Sequence, residues 1–211
     1  MPSPDTPYSY DGHSDDLRTF LRTFDGAPHV VGHSWGAGVT LLAAIREPAL
    51  FRTLVLIEPS FGSLIEGTMP ELRTELGSRD ALISAIRRLG QMGEANSASR
   101  ALMDWVQASP HGLDDLPESA RHAILDNAGT IGPTFSEPPP KVTCDELRSF
   151  TKPSLVLHGA KTRLFYRLVA QRTAVCLPDA RLAVIPECGH MSIVEHPSAV
   201  ATVLLDFLVQ N

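Results

Sequence analysis

The run Pro28-His29-Val30-Val31-Gly32-His33-Ser34-Trp35-Gly36 places a short apolar, β-branched segment directly before a Gly-x-Ser-x-Gly pattern. Apolar side chains then recur at helical spacing, at Val39, Leu41, Leu42 and Ile45. The pair Glu47-Pro48 marks the end of that helical pattern. This stretch therefore predicts a strand, a sharp turn and a helix. The two glycines of the pattern suit a turn tight enough to hold Ser34 in a strained, exposed position.

A Gly-x-Ser-x-Gly pattern between a strand and a helix is typical of a nucleophile elbow. Ser34 is therefore the candidate nucleophile, and the backbone N–H of Trp35, the residue that follows it, is the candidate oxyanion donor. The competing interpretation is a glycine-rich turn with an incidental serine. The strand and helix on the expected sides of the pattern favour the elbow.

Composition and charge limit the class of protein. The chain has 211 residues and is 43% hydrophobic, which is enough for one core with a small accessory unit. Its net charge of −6 and its lack of a lysine/arginine cluster argue against a nucleic-acid partner and favour a small-molecule substrate. The first residues have neither a basic start nor an apolar core, and no uncharged apolar run reaches 18 residues. We therefore expect a cytoplasmic protein with no membrane partner.

The cysteines give a weaker signal. Cys144, Cys176 and Cys188 are odd in number and irregularly spaced, so they predict neither a disulfide framework nor a zinc site. This pattern agrees with a reducing compartment and with the absence of a bound metal.

The chain divides into a core and an insertion. Short apolar runs at 54–57, 154–158 and 181–185 resemble the strand before Ser34 and predict a parallel sheet covered on both faces. Between residues 61 and 150, helical patterns follow one another without a convincing strand. We therefore predict an α/β core formed by residues 1–60 and 151–211, with a helical lid formed by residues 61–150.

A serine hydroxyl needs a histidine to accept its proton and an acid to orient that histidine. His190 is the leading candidate among eight histidines, since it lies on a loop after the last predicted strand. Catalytic groups collect at the carboxyl ends of parallel strands. His196 is an alternative base. His33 is expected to line the site or to pack beneath it.

Four motifs occur here in an order that resembles the α/β-hydrolases: Gly32-His33-Ser34-Trp35-Gly36, Leu54-Val55-Leu56-Ile57-Glu58-Pro59, Leu155-Val156-Leu157-His158-Gly159 and Cys188-Gly189-His190-Met191. The resemblance implies a mainly parallel sheet with flanking helices, a Ser-acid-His triad, no cofactor and a helical lid. It also implies a substrate that is an ester, a lactone, an amide or an activated carbon–carbon bond.

The acid departs from the usual pattern. Most members carry an aspartate a few residues after the strand that here ends at His158-Gly159, but residues 159–164 contain no carboxylate. Some members that resemble one branch of the haloalkane dehalogenases instead carry the acid after the strand that follows the elbow helix. Glu58 occupies that position. The alternatives are a solvated or arginine-paired Glu58, with Asp179 or Asp206 as weaker candidate acids.

The front of the chain also departs from the family. Members carry several strands and a His-Gly-type loop before the elbow, whereas here 33 residues precede Ser34, and Pro2–Tyr10 resembles the loop before the first retained helix. We therefore expect a partial fold that lacks the loop supplying the second oxyanion donor. The strand before Ser34 would then be an exposed sheet edge, which predicts a homodimer through that edge.

The leading hypothesis is a serine hydrolase with a Ser34-Glu58-His190 triad. The alternative is a truncated or degenerate chain without appreciable catalysis: a fragment, a mis-called start or a binding paralogue. Epoxide-hydrolase or dehalogenase chemistry is disfavoured, because those reactions use an aspartate where Ser34 stands. The candidate pocket residues are His33, Phe61, Trp105, Phe135 and Met191, although apolar residues at helical spacing are more often core.

Overall fold

The computed structural model describes residues 8–67 and 72–211. The strands are β1 (His29–His33), β2 (Thr53–Ile57), β3 (Ser154–Gly159) and β4 (Ala180–Ile185). The longer helices are α1 (Tyr10–Leu21), α2 (Trp35–Arg46), α3 (Leu72–Gln91), α4 (Ala95–Val106), α5 (Glu118–Asp126), α8 (Leu164–Cys176) and α10 (Pro197–Gln210). Single helical turns form α6 (Ile131–Thr134), α7 (Cys144–Leu147) and α9 (Ser192–Glu195). The interpretation of residues 1–7 lies outside the described residues.

The four strands form one parallel sheet in the order β1-β2-β3-β4. Every residue of β2 and β3 is buried, as expected for strands covered on both faces. Helices α1, α2 and α8 pack on one face, and α10 packs on the other. The predicted α/β fold with a parallel sheet and flanking helices is therefore confirmed.

Side chains along β2 alternate between the two cores. Leu54 and Leu56 join the cluster that contains α2, whereas Val55 and Ile57 join the cluster that contains Val200 of α10. This period of two is what a strand imposes on its side chains. Because all strands are parallel, their carboxyl ends meet at one edge of the sheet, and the segments that follow β1, β2, β3 and β4 converge there.

The described part of the segment from 61 to 150 consists of helices joined by turns and loops. Helices α3, α4, α5, α6 and α7 lie in this segment, and no strand occurs among its described residues. The segment is tied to the core by Arg163, whose guanidinium donates two hydrogen bonds to Glu75 of α3, at 2.8 and 3.0 Å. The role of this segment as a lid over the site stays a prediction.

Strand β1 lies at the edge of the sheet formed by the described residues. Its outward-facing Val31 is 46% exposed, and Phe20 and Phe24 nearby in the chain are also exposed. The predicted homodimer through this edge stays a prediction.

Within residues 8–67 and 72–211, no helix combines the length and the apolar character needed to cross a bilayer.

The expectation that the cysteines form no disulfide is wrong. Cys144, the first residue of α7, is bonded to Cys176, the last residue of α8, with their Cα atoms 5.0 Å apart. The fold brings these positions together across 32 residues of sequence, which cysteine spacing alone could not reveal. Cys188 is free and buried. The cysteine pattern therefore no longer supports the predicted cytoplasmic location, which stays a prediction.

The disulfide predicts a defined alkylation pattern. In denaturant without reductant, iodoacetamide should label one cysteine, Cys188, and after reduction it should label all three, as counted by mass spectrometry. Opening a loop of this length should also lower the free energy of unfolding by about 3–4 kcal/mol in the chain-entropy description. Three labels before reduction would show that the disulfide is absent.

Candidate active site

Ser34 sits on the sharp turn between β1 and α2. Its backbone is in an unusual conformation for a residue other than glycine, with φ 54° and ψ −120°. The Ser34 N–H donates to the carbonyl of Ile57 at 2.9 Å, and the Ser34 carbonyl accepts from the N–H of Gly38 at 3.2 Å. The turn is therefore anchored both to the sheet and to the helix, as in a strained nucleophile elbow.

The two glycines of the pattern are not equivalent. A Cβ atom on Gly32 would lie 2.6 Å from Oγ1 of Thr40 and 2.7 Å from Cα of Ala37, so a side chain there would force the turn apart. A Cβ atom on Gly36 would meet nothing within 4 Å. The expectation that the turn needs both glycines is therefore corrected: the close approach of α2 to β1 requires glycine at position 32 only.

Three predicted site residues come together at the carboxyl edge of the sheet. Oγ of Ser34 lies 2.8 Å from Nε2 of His190, and Nδ1 of the same ring lies 2.7 Å from Oε2 of Glu58. His190 is 2% exposed and Glu58 is completely buried. Because a carboxylate accepts hydrogen bonds, Nδ1 carries the ring proton, which leaves Nε2 free to accept a proton from the serine hydroxyl.

Glu58 is buried with its charge fully partnered. Its Oε1 accepts the N–H of Gly159 at 2.7 Å, and its Oε2 accepts the hydroxyl of Thr162 at 2.7 Å as well as the ring N–H of His190. Three donors from separate parts of the chain offset the cost of removing a carboxylate from water. Glu58 is thus neither solvated nor paired with an arginine. The other candidate acids, Asp179 and Asp206, are exposed.

Thr162 and Gly159 are site residues that the sequence interpretation missed. Gly159 is the last residue of β3, and Thr162 lies in the loop after it, where the resemblance implies the usual acid; both donate hydrogen bonds to Glu58, which directly follows β2. A Cβ atom on Gly159 would lie 2.4 Å from the carbonyl oxygens of both Cys188 and Gly189. Glycine at this position therefore lets the His190 loop cross directly over the end of β3. In the sequence, the absence of a carboxylate from residues 159–164 was the signal that could have drawn attention to these two residues.

Tyr166 was also missed. Its ring stacks on the His190 imidazole with centroids 4.0 Å apart, and its buried hydroxyl interacts with the side chain of Ser34. Burial raises the pKa of Tyr166, and the negative charge of Glu58 raises it further, so the hydroxyl keeps its proton near neutral pH. No pattern within the sequence marks this residue, because only the fold brings α8 against the His190 loop.

His33 packs beside the base. Its Nε2–H donates to the backbone carbonyl of His190 at 2.9 Å, and the two imidazole centroids are 5.0 Å apart. Removal from water lowers the pKa of His33 to about 4, and the nearby His190 adds to this effect. His33 is therefore neutral near pH 7 and supports the loop that carries His190.

A cavity of about 270 Å³ opens in front of Ser34 and His190. Of the predicted pocket residues, Trp105 and Phe135 lie on its wall. Phe61 instead lies in the core, with its ring 5.3 Å from that of Tyr10, and Met191 packs against a second apolar cluster.

His196, the alternative base, is exposed at the start of α10. Among residues 8–67 and 72–211, no cluster of three histidine, cysteine or acidic side chains could hold a metal ion.

Comparison with known proteins identifies related sequences. A sequence model described as the alpha/beta hydrolase family matches residues 2–203. A 2-hydroxy-6-oxo-6-(2'-aminophenyl)hexa-2,4-dienoic acid hydrolase from Metapseudomonas resinovorans is 25% identical, over 97% of this chain and 68% of its own length. A pimeloyl-[acyl-carrier protein] methyl ester esterase from Aromatoleum aromaticum is 35% identical, over 84% of this chain and 72% of its own length.

The solved structures are similar in fold. MenH from S. aureus superposes with a TM-score of 0.75 at 21% identity, covering 100% of this chain and 79% of that protein. A hydrolase from Oleispira antarctica gives a TM-score of 0.76 at 17% identity, covering 100% of this chain and 76% of the other. The chain spans 62 to 68% of the length of three curated relatives, all of them hydrolases.

The unequal glycines predict unequal substitutions. Gly32→Ala should lower the free energy of unfolding by more than about 2 kcal/mol, because the new Cβ cannot be placed without moving backbone atoms. The matched control, Gly36→Ala, should change it by less than about 1 kcal/mol. Urea unfolding of both variants measures the difference. Equal destabilisation by the two substitutions would contradict the account of the turn.

Proposed function

Because this chain belongs to the alpha/beta hydrolase family, we propose that it is a serine hydrolase whose catalytic triad is Ser34, His190 and Glu58. The observation that carries the proposal is the unbroken hydrogen-bond chain from the Ser34 hydroxyl through both ring nitrogens of His190 to the Glu58 carboxylate. This arrangement supplies a nucleophile, a base and an orienting acid in the geometry that acyl transfer requires.

The chemical steps follow from these positions. Nε2 of His190 takes the hydroxyl proton as Oγ of Ser34 attacks the substrate carbonyl carbon, and Glu58 stabilises the imidazolium that forms. The imidazolium then gives its proton to the leaving group as the bond to that group breaks. A water molecule, deprotonated by His190, then attacks the carbonyl carbon of the acyl-serine. The tetrahedral adduct that forms collapses, so that Ser34 leaves and takes the proton back from His190 while the acid is released.

The backbone N–H of Trp35 is the proposed oxyanion donor. Trp35 is the first residue of α2, so its N–H cannot have a partner within the helix. The positive end of the helix dipole adds to the stabilisation of a developing negative oxygen at this place. The expectation that the chain lacks the loop supplying a second oxyanion donor stays a prediction.

The substrate is proposed to be a small ester, lactone, amide or activated carbon–carbon bond. The cavity in front of Ser34 is small, and most of its wall is apolar, with Leu82, Met103 and Phe165 among its residues. The related proteins include hydrolases of 2-hydroxy-6-oxo-dienoic acids and a methyl ester esterase, which fit both an ester and a carbon–carbon substrate. The 61–150 segment, proposed as the lid, supplies much of the wall through α3 and α4.

A fluorophosphonate probe tests the nucleophile. Wild-type protein should be labelled covalently at Ser34, and Ser34→Ala should not be labelled, because only a serine activated by a neighbouring base reacts rapidly. Ser60→Ala is the matched control, since Ser60 lines the same cavity but its hydroxyl bonds to that of Tyr10 and, at 3.5 Å, to the backbone carbonyl of Ser34 rather than to a histidine. This control should still be labelled. Intact-protein mass spectrometry gives the extent of labelling.

Two outcomes would overturn the assignment. Equal labelling of Ser34→Ala and wild type would exclude Ser34 as the nucleophile. A folded wild-type protein that is neither labelled nor able to hydrolyse any member of a panel of p-nitrophenyl esters, lactones and β-diketones would favour the alternative, a chain without appreciable catalysis.

A further inference from the structure

The wall of the cavity in front of Ser34 contains one arginine. Among the described residues that line it, Arg79 of α3 is the only side chain with a permanent charge. The remaining wall is mostly apolar or aromatic, with hydroxyl groups from Tyr10, Ser60 and Tyr166. From this placement we propose that Arg79 anchors a carboxylate on the substrate, so that the enzyme prefers short acyl compounds with an anionic end. The inference rests on the proposed function.

Arg79 is held in place without an ion pair to any described residue. Its guanidinium carbon lies 5.0 Å from the centroid of the Phe165 ring, in a cation–π contact. No carboxylate of the described residues comes within ion-pair distance of it. Glu66, Asp80 and Glu137 line an adjoining cavity that Arg79 also borders, but none of them forms an ion pair with it.

Arg163 lies in the same region and differs from Arg79 in its ion pairing. Its guanidinium also lies over an aromatic ring, that of Trp105, at 4.4 Å. Unlike Arg79, it is paired with Glu75 through two hydrogen bonds of 2.8 and 3.0 Å. Arg163 thus holds α3 against the core with its charge satisfied inside the protein, while the donors of Arg79 remain available to a ligand.

The surroundings of Arg79 suit an anion. A cation beside apolar surface loses part of its hydration, and a carboxylate can replace the lost water with two parallel hydrogen bonds to the planar guanidinium. The positive charge of Arg79 also acts on the nearby hydroxyls of Tyr10 and Tyr166, which are further hydrogen-bond donors beside the cavity. An anionic group in this cavity would therefore meet the guanidinium, and no acidic side chain lies among the described residues of this wall.

The position of Arg79 also limits the length of the substrate. Arg79 and the nucleophile Ser34 line the same cavity of about 270 Å³, so the carboxylate and the carbonyl under attack must both fit within it. A short acyl chain with a terminal carboxylate meets this requirement. A long neutral acyl chain would leave the guanidinium facing apolar atoms, which is unfavourable.

Two matched substrates test the proposal: the mono-p-nitrophenyl ester of adipic acid and its half-amide, in which a neutral amide replaces the carboxylate. The measured quantity is the ratio of kcat/KM for the acid to kcat/KM for the amide, after the rate with Ser34→Ala is subtracted. Wild type should prefer the acid by about 10- to 100-fold, the range expected for hydrogen bonds to a charged group.

Three variants separate charge recognition from structure. Arg79→Gln should bring the ratio close to one, whereas Arg79→Lys should keep part of the preference because it keeps the charge. Arg88→Gln is the control, since Arg88 lies on the same helix, is exposed and does not line this cavity. It should keep the wild-type ratio. A purely structural role for Arg79 would slow both substrates equally and leave the ratio unchanged.

The outcomes distinguish this inference from the proposed function. A wild-type ratio near one, or an unchanged ratio in Arg79→Gln, would overturn the role of Arg79 while leaving the triad intact. Hydrolysis of neither ester by wild type, together with no fluorophosphonate labelling, would instead overturn the proposed function on which the inference rests.

Discussion

The arrangement of the site depends on one buried hydrogen bond, between the Glu58 carboxylate and Nδ1 of His190. A carboxylate with no exposure to water is stable only if its lone pairs are satisfied, and here the donors come from the end of β3, from the loop after it and from the loop after β4. The same carboxylate therefore sets the ring tautomer of His190 and ties three segments of the chain together. Removing one donor would leave a buried charge with incomplete compensation.

The parallel sheet makes this contact available. Glu58 and His190 are 132 residues apart in the sequence, and Ser34 and His190 are 156 apart, yet all three lie where parallel strands end. Glycine at position 159 allows the His190 loop to pass over β3 at backbone contact distance. The helices from the 61–150 segment then supply most of a small cavity in front of the serine, including its one permanently charged side chain among the described residues, Arg79.

Features that depend on local sequence could be predicted. The β-branched runs indicated the four strands, the glycine pattern indicated the turn at Ser34, and the missing carboxylate after β3 pointed to Glu58. Features that depend on distant packing could not. The pairing of Cys144 with Cys176, the stacking of Tyr166 on His190 and the burial of Phe61 in the core all arise from contacts between segments far apart in the chain. Sequence spacing carries no information about such contacts.

The central claim is that Glu58 orients His190, and kcat/KM of the Glu58→Gln variant for a p-nitrophenyl ester tests it most directly. Asp179→Asn and Asp206→Asn serve as controls, with circular dichroism to establish that each variant is folded. The account predicts a loss of about 10³- to 10⁴-fold for folded Glu58→Gln, because the amide cannot hold the productive tautomer, and little change in the two controls. A loss below tenfold in Glu58→Gln, or a comparable loss in either aspartate variant, would contradict it.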